Sequence, residues 1–308
     1  MKKTNATTNS KGNAKESKTS VYQMVTDKII KQLEEGVIPW EKPWTGVAEG
    51  AYNRKTKKPY SLINQCMLSN TGEYASFKQW TEMGGKIKKG AKSEFVVFWK
   101  ILPVKESDPD TGDVVTKHIP LLRYYNVFHI SQVEGVEPLE KEELNHTDPI
   151  AEAEELITAY TTRENMRFQR VKDNRAFYSP MMDYVSVPLL EQFPKVEEAY
   201  STYFHELTHS TGHKSRLDRF PANPMDAMFG SESYSKEELV AEMGAAMILN
   251  RLGIETVKSS RNNAAYIQSW LKVLKGDVRF VTSAASKAEK AVKFIYGESQ
   301  KGEGNDEE

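Results

Sequence analysis

The chain has 308 residues, 39% of them hydrophobic and 28% charged, enough for about two domains of ~150 residues with a buried core and a soluble surface. No apolar run approaches the ~18 residues that span a bilayer, and no apolar segment follows the lysines of MKKTNATTNSKGNAKESKTS, so neither a membrane partner nor export is expected. Cys66 is the single cysteine, which excludes an intramolecular disulfide and a multi-cysteine metal site and fits a cytoplasmic protein.

Residues 1–20 are almost wholly Lys, Ser, Thr, Asn and Gly and read as a disordered basic arm. Ser20 and Gln23 form a capping-box pattern ahead of Tyr22, Val25, Ile29 and Leu33, a helical spacing that Gly36 ends. Pro39–Trp40 and Pro43–Trp44 follow as an extended aromatic segment, and Phe77 to Met83 reads as a short helix stopped by Gly84–Gly85. Glu94 to Lys100 and Leu121 to Phe128, rich in β-branched and aromatic residues, predict two strands around the turn-forming Asp108–Gly112. An acidic, proline-bearing linker is expected over 136–150, then a helix from Ile150 to Arg163 and short strands at 176–179 and 184–187. From Glu197 the pattern is helical, with helices predicted to about Thr211 and over Lys236–Asn250, Asn262–Leu274 and Ser283–Tyr296 before an acidic tail at 299–308. The fold class expected is α+β in two domains, an α+β domain at 21–135 and a mainly helical one with a small β-sheet at 151–298.

The two halves differ in charge. Residues 1–135 carry 21 Lys and Arg against 14 Asp and Glu, whereas residues 136–308 carry 21 against 29. The excess is densest in 51–100, with ten basic and three acidic residues. There Arg54, Lys55, Lys57 and Lys58 stand beside Tyr52 and Tyr60, and Lys86, Lys88, Lys89 and Lys92 lie between Trp80 and Phe95. Cations that follow phosphates, interleaved with rings on which bases stack, are what single-stranded nucleic acid needs. Trp99, on an apolar strand, is expected in the core.

The sharpest motif is His205-Glu-Leu-Thr-His209 within a helix. Histidines at i and i+4 project from one face and can grip one Zn²⁺, and Glu206 is placed to take a proton from water. A catalytic zinc needs a third protein ligand. His213 lies about two helical turns from a metal held at 205 and 209 if the helix continues, which argues against it. Glu237, Glu238 and Glu242 lie on a later helix, where Ala241 and Ala245 allow close approach. Glu238 is favoured as ligand and Glu242 as an orienting partner of a histidine, while acids in a first turn also serve simply to meet the helix dipole.

These residues also carry a resemblance. Tyr203 to Arg219, Tyr234 to Glu242 and Ala264 to Leu271 resemble the metallopeptidase domain of ArdC-type antirestriction proteins of plasmids and phages. Met24 to Ile30, Ile38 to Trp44, Tyr60 with Asn64, and Tyr124 to Gly135 resemble that family's single-stranded-DNA-binding domain. The resemblance implies a zincin-like domain in which His205, His209 and a downstream glutamate, matched by Glu238, bind zinc or another divalent transition metal, with Glu206 as base. It implies protection of incoming mobile DNA from host restriction, with single-stranded DNA as a partner; the sequence names no peptide substrate, and host restriction or other defence proteins are the candidates. Tyr178, Tyr184 and Tyr234 are candidates to stabilise an oxyanion, and 176–187 is a candidate edge strand for an extended peptide. The family includes N-terminal portions of TraC-type plasmid primases, and a chain of this length is expected to lack an added primase domain. The rival expectation is a DNA-coating protein whose metal only holds helices together.

Overall fold

A computed structural model describes residues 20–41, 50–107, 114–139, 149–220, 232–254 and 264–298. The basic arm, Pro43–Trp44, the Asp108–Gly112 turn, most of the 136–150 linker and the acidic tail lie outside the described residues.

The architecture is α+β. Helix α1 (Val21–Glu34) starts where Ser20 Oγ accepts the Gln23 backbone N–H at 3.1 Å. The Gln23 side chain turns forward to Asp27 at 2.7 Å, so only half of the capping box forms. Next come β1 (Ala51–Asn53), α2 (Leu62–Met67), β2 (Gly72–Ala75) and α3 (Phe77–Glu82), the last with both halves of a capping box at Ser76 and Gln79. After β3 (Lys86–Ile87), the strands β4 (Glu94–Ser107) and β5 (Val114–His129) pair antiparallel from Glu94↔Val127 to Ser107↔Val114. Both strands run beyond the stretches predicted from composition, because each residue added to an antiparallel ladder is held by its cross-strand partner rather than by its own propensity. The sheet order is β1-β2-β5-β4, and β3 pairs separately with β6 (Val133–Glu134).

The second half comprises α4 (Pro149–Arg163), β7 (Arg167–Val171), β8 (Phe177–Ser179), β9 (Tyr184–Pro188), α5 (Val196–Ser210), α6 (Glu232–Arg251), α7 (Ala264–Gly276) and α8 (Phe280–Ile295). Its small sheet has the order β7-β9-β8, parallel between β7 and β9 and antiparallel between β9 and β8. Helix α5 packs against this sheet on one side and against α6 on the other. Among the described residues no helix is long and apolar enough to cross a membrane.

The halves are not separate cores. One buried cluster joins Val25, Ile29, Leu33, Trp40 and Cys66 to Leu239, Val240, Met243, Trp270 and Leu274, with the Trp40 and Trp270 rings edge-to-face at 5.2 Å. A second cluster holds Tyr160, Val185, Tyr203, Phe204 and Leu207 with Ala245, Ile248 and Leu249, so α6 contributes to both. Trp80 and Trp40 are fully buried, but Trp99 is 48% exposed, against the expectation that it lies in the core. Among the described rings it meets only the edge of Tyr22 at the start of α1, 6.1 Å away, which covers part of it.

Candidate metal centre

Helix α5 has no solvated face over its last two turns: Tyr203, Phe204, His205, Glu206, Leu207 and Thr208 are all buried. The i,i+4 spacing sets the imidazoles of His205 and His209 on the side that meets α6, with Nε2 atoms 3.1 Å apart and ring planes crossed at 81°. Opposite them α6 presents Glu238, one carboxylate oxygen 3.5 Å from His205 Nε2 and the other 3.3 Å from His209 Nε2. Ligands at ~2.0–2.1 Å from a tetrahedral ion stand about 3.3 Å from one another, so this donor set fits a divalent metal. Among the described residues these three are the group able to hold one, their ligand atoms all within 4.8 Å.

The other side of each imidazole also meets a carboxylate. His205 Nδ1 is 3.4 Å from Glu242, and His209 Nδ1 is 3.4 Å from Glu237. At His209 the hydrogen bond to Glu237 fixes the tautomer that leaves Nε2 free for a metal and holds the ring plane. Glu237 is itself gripped by Arg219, whose Nη2 donates to one oxygen at 2.6 Å and Nε to the other at 3.2 Å. Successive helical residues point ~100° apart, so Glu237 and Glu238 reach different sides of the same imidazole. The tandem Glu237–Glu238 was the signal in the sequence for a second histidine partner; first-turn acids that only meet a helix dipole would produce the same pattern.

Burial opposes charge on His209, but hydrogen bonds to Glu237 and Glu238 and the nearby carboxylates outweigh it and raise the imidazole to about 10. Glu238 is likewise desolvated, yet its bonds to the two histidines hold its carboxyl well below the usual range. Metal binding at such a cluster would be coupled to release of protons from its ligands.

His213 lies beyond the end of α5, its Nδ1 2.7 Å from Ser215 Oγ, and is not in the ligand group. Tyr178 donates its hydroxyl to Asp183 at 2.7 Å and accepts from Arg216 at 3.2 Å. Arg216, almost fully buried, also bonds Ser210 O at 2.8 Å, so it ties the β8–β9 turn to the end of the histidine helix. The Tyr184 ring packs edge-on against Phe177 at 5.7 Å and beneath the Arg167 guanidinium at 5.5 Å. The side chain of Tyr234 lies outside the described residues.

In the basic half, Arg54 is mostly buried and ion-paired with Glu73, and Lys55 pairs with Glu82 at 2.7 Å. Lys57 and Lys58 are exposed on the same turn. Tyr60 is half-buried, its ring 6.4 Å from Tyr74 and its hydroxyl 3.4 Å from Asn53 Nδ2. Lys86, Lys88, Lys89 and Lys92 are all exposed around β3, with Lys88 Nζ donating to Ser131 O at 2.8 Å.

Residues 151–287 match the family described as zincin-like metallopeptidase, and residues 19–128 match the N-terminal domain of anti-restriction factor ArdC. The metal-free crystal structure of the antirestriction protein ArdC from plasmid R388 is 33% identical, superposes with a TM-score of 0.71, and is matched over 91% of this chain and 98% of that one. The chain belongs to the ArdC family of antirestriction proteins. A second structure of the R388 protein, bound to Mn(II), matches at 32% identity and TM-score 0.71 over 92% of this chain and 99% of that one. Two DNA primases TraC from Escherichia coli are each 33% identical over 93% of this chain. The ArdC-family chain spans only 20% and 28% of the length of those primases.

Proposed function

We propose that this ArdC-family protein protects incoming mobile-element DNA by holding single strands with its basic, aromatic first half while a zinc- or manganese-dependent peptidase site in the second half hydrolyses host defence proteins. The observation that carries the reading is Glu206. It is 5% exposed and sits one residue from a ligand on the helix that presents both histidines. A site that only staples helices needs its ligands and nothing more.

His205, His209 and Glu238 would hold a divalent cation, which would supply a Lewis acid and lower the pKa of a water beside it. Glu206 would take a proton from a water as its oxygen adds to the peptide carbonyl carbon, and would hand that proton to the amine nitrogen as the C–N bond breaks. Glu237 and Glu242 keep both imidazoles in register. Strand β8 pairs with β9 alone among the described strands, and its outer edge suits an extended peptide.

A second reading is a DNA-coating protein with a structural metal. It is favoured by the position of α6, which contributes to both buried clusters and would be clamped to α5 by a cation. Glu206→Gln separates the two. The variant is expected to fold, load metal and bind DNA as wild type does, while peptide hydrolysis falls at least ~10²-fold. Loss of antirestriction in cells supports proteolysis, and full protection supports coating.

A further inference from the structure

The β4–β5 ribbon leaves large rings in solvent that the metal centre does not use. Phe98, Trp99 and Tyr124 are 42%, 48% and 47% exposed. Opposed residues on paired strands share a face, so the register assigns Val96 with Tyr125, Phe98 with Arg123, Lys100 with Leu121 and Val104 with Lys117 to one face. The other face holds Val97 with Tyr124 and Trp99 with Leu122. That second face is the one α1 approaches, with Tyr22 edge-on to Trp99 at 6.1 Å and Lys28 over the Phe95 ring at 5.3 Å.

The first face is different in kind. Rings follow one another along it: Tyr60 and Tyr125 pack against the same buried cluster of Tyr74, Val96 and Val127, and Tyr125 lies 5.6 Å from the exposed Phe98. Those two rings touch, so a flat ligand stacks on the outer side of Phe98 rather than between them. Beside it stand the exposed Lys100 and Arg123, which have no carboxylate partner among the described residues, and Lys117 farther out. Residues 95–105 and 114–129 contain no acidic side chain. An exposed apolar ring whose charged neighbours along the ribbon are all cations matches a base carried on a phosphate backbone.

We propose that Phe98, backed by Tyr125 and flanked by Arg123 and Lys100, is a base-stacking site for single-stranded DNA. The site rests on the reading that the protein binds single strands and specifies where the bases go.

The test uses the full chain and fluorescence anisotropy with oligonucleotides of about 15 nucleotides, oligo-dT and an abasic strand of equal charge. Phe98→Ala is expected to weaken dT binding about fivefold or more and to leave the abasic strand unaffected, since stacking on one base is worth ~1 kcal/mol or more. Phe98→Trp keeps the ring and should retain wild-type affinity. Arg123→Gln should weaken both strands and lower the salt slope by about 0.7. Trp99→Ala, on the other face, should change neither. The proposal is overturned by an unchanged Phe98→Ala, by equal losses on dT and abasic strands, by a loss confined to Trp99→Ala, by tighter binding of oligo-rU than of dT, or by a dimer that Phe98→Ala dissociates. A wild-type chain that bound neither strand would instead overturn the DNA-binding reading itself.

Discussion

Gly244 lies so close to Thr208 that a β-carbon at 244 would stand 2.6 Å from the threonine methyl and 2.8 Å from its hydroxyl. Thr208 is β-branched, buried, and bonded back to Phe204 O at 2.7 Å, so it cannot swing aside. This close approach sets the spacing of α6 from α5, on which the distance from Glu238 to the histidines depends. Gly244→Ala is therefore expected to lower both stability and metal occupancy, overpacking costing ~1–3 kcal/mol against ~1 kcal/mol regained from helix propensity. Adding Thr208→Ala should restore metal content. The pair is read by thermal melts and elemental analysis, and a single variant with normal occupancy would show that the approach is set elsewhere.

Glu238, Glu237 and Glu242 should separate by degree. Glu238→Ala removes a ligand and should leave the protein largely metal-free, whereas Glu237→Gln and Glu242→Gln each weaken affinity ~10–100-fold through a loosened imidazole. His213→Ala should retain wild-type affinity, its ring being engaged with Ser215 at 2.7 Å. Chelator competition ranks all four. If Glu237→Gln bound metal as tightly as wild type, Glu237 would be no more than an acid near the start of α6.

The shared core carries a prediction about unfolding. Trp40 is fully buried against Trp270, and truncating such a residue to Ala costs ~3–5 kcal/mol. Trp40→Ala is expected to lower the melting temperature of both halves together, in one calorimetric transition. Residues 21–135 alone would expose Val25, Ile29, Leu33 and Trp40 and should aggregate. Two well-separated transitions in the full chain would contradict this.

How far the sequence disclosed the molecule depended on the range of the forces involved. Helices α1, α4, α5 and α8 were legible because an apolar period is written within one segment, joined in α1 by a local cap at Ser20. Strands β1, β2 and β7, of three, four and five residues, had no such pattern and exist only through partners elsewhere in the chain. The same division runs through the site: His205, Glu206 and His209 are one helical repeat, but the attachment of Glu237 to His209 depends on how two helices approach. Trp99 failed for the opposite reason, since its local pattern was apolar but in the fold, among the described rings, only the edge of Tyr22 at the start of α1 meets it, leaving it 48% exposed.

The cations of the first half divide by whether a carboxylate already holds them. Arg54 is buried against Glu73, which also accepts the Leu139 backbone N–H at 2.7 Å, so that ion pair belongs to the fold. Removing Arg54 leaves Glu73 desolvated and unpaired, and Arg54→Ala should therefore destabilise the protein without changing the salt dependence of DNA binding. Lys86, Lys88, Lys89 and Lys92 are exposed around β3, and replacing all four by Ala should leave the melting temperature within a degree or so of wild type. Each phosphate that no longer meets a lysine takes about 0.7 from the slope of log affinity against log salt, so the quadruple variant should flatten it by up to ~3. Titrations of oligo-dT at several salt concentrations measure this directly. A slope unchanged in the quadruple variant but reduced in Arg54→Ala would reverse the assignment, making the β3 lysines an ordinary solvated surface and the Arg54–Glu73 pair part of the DNA interface.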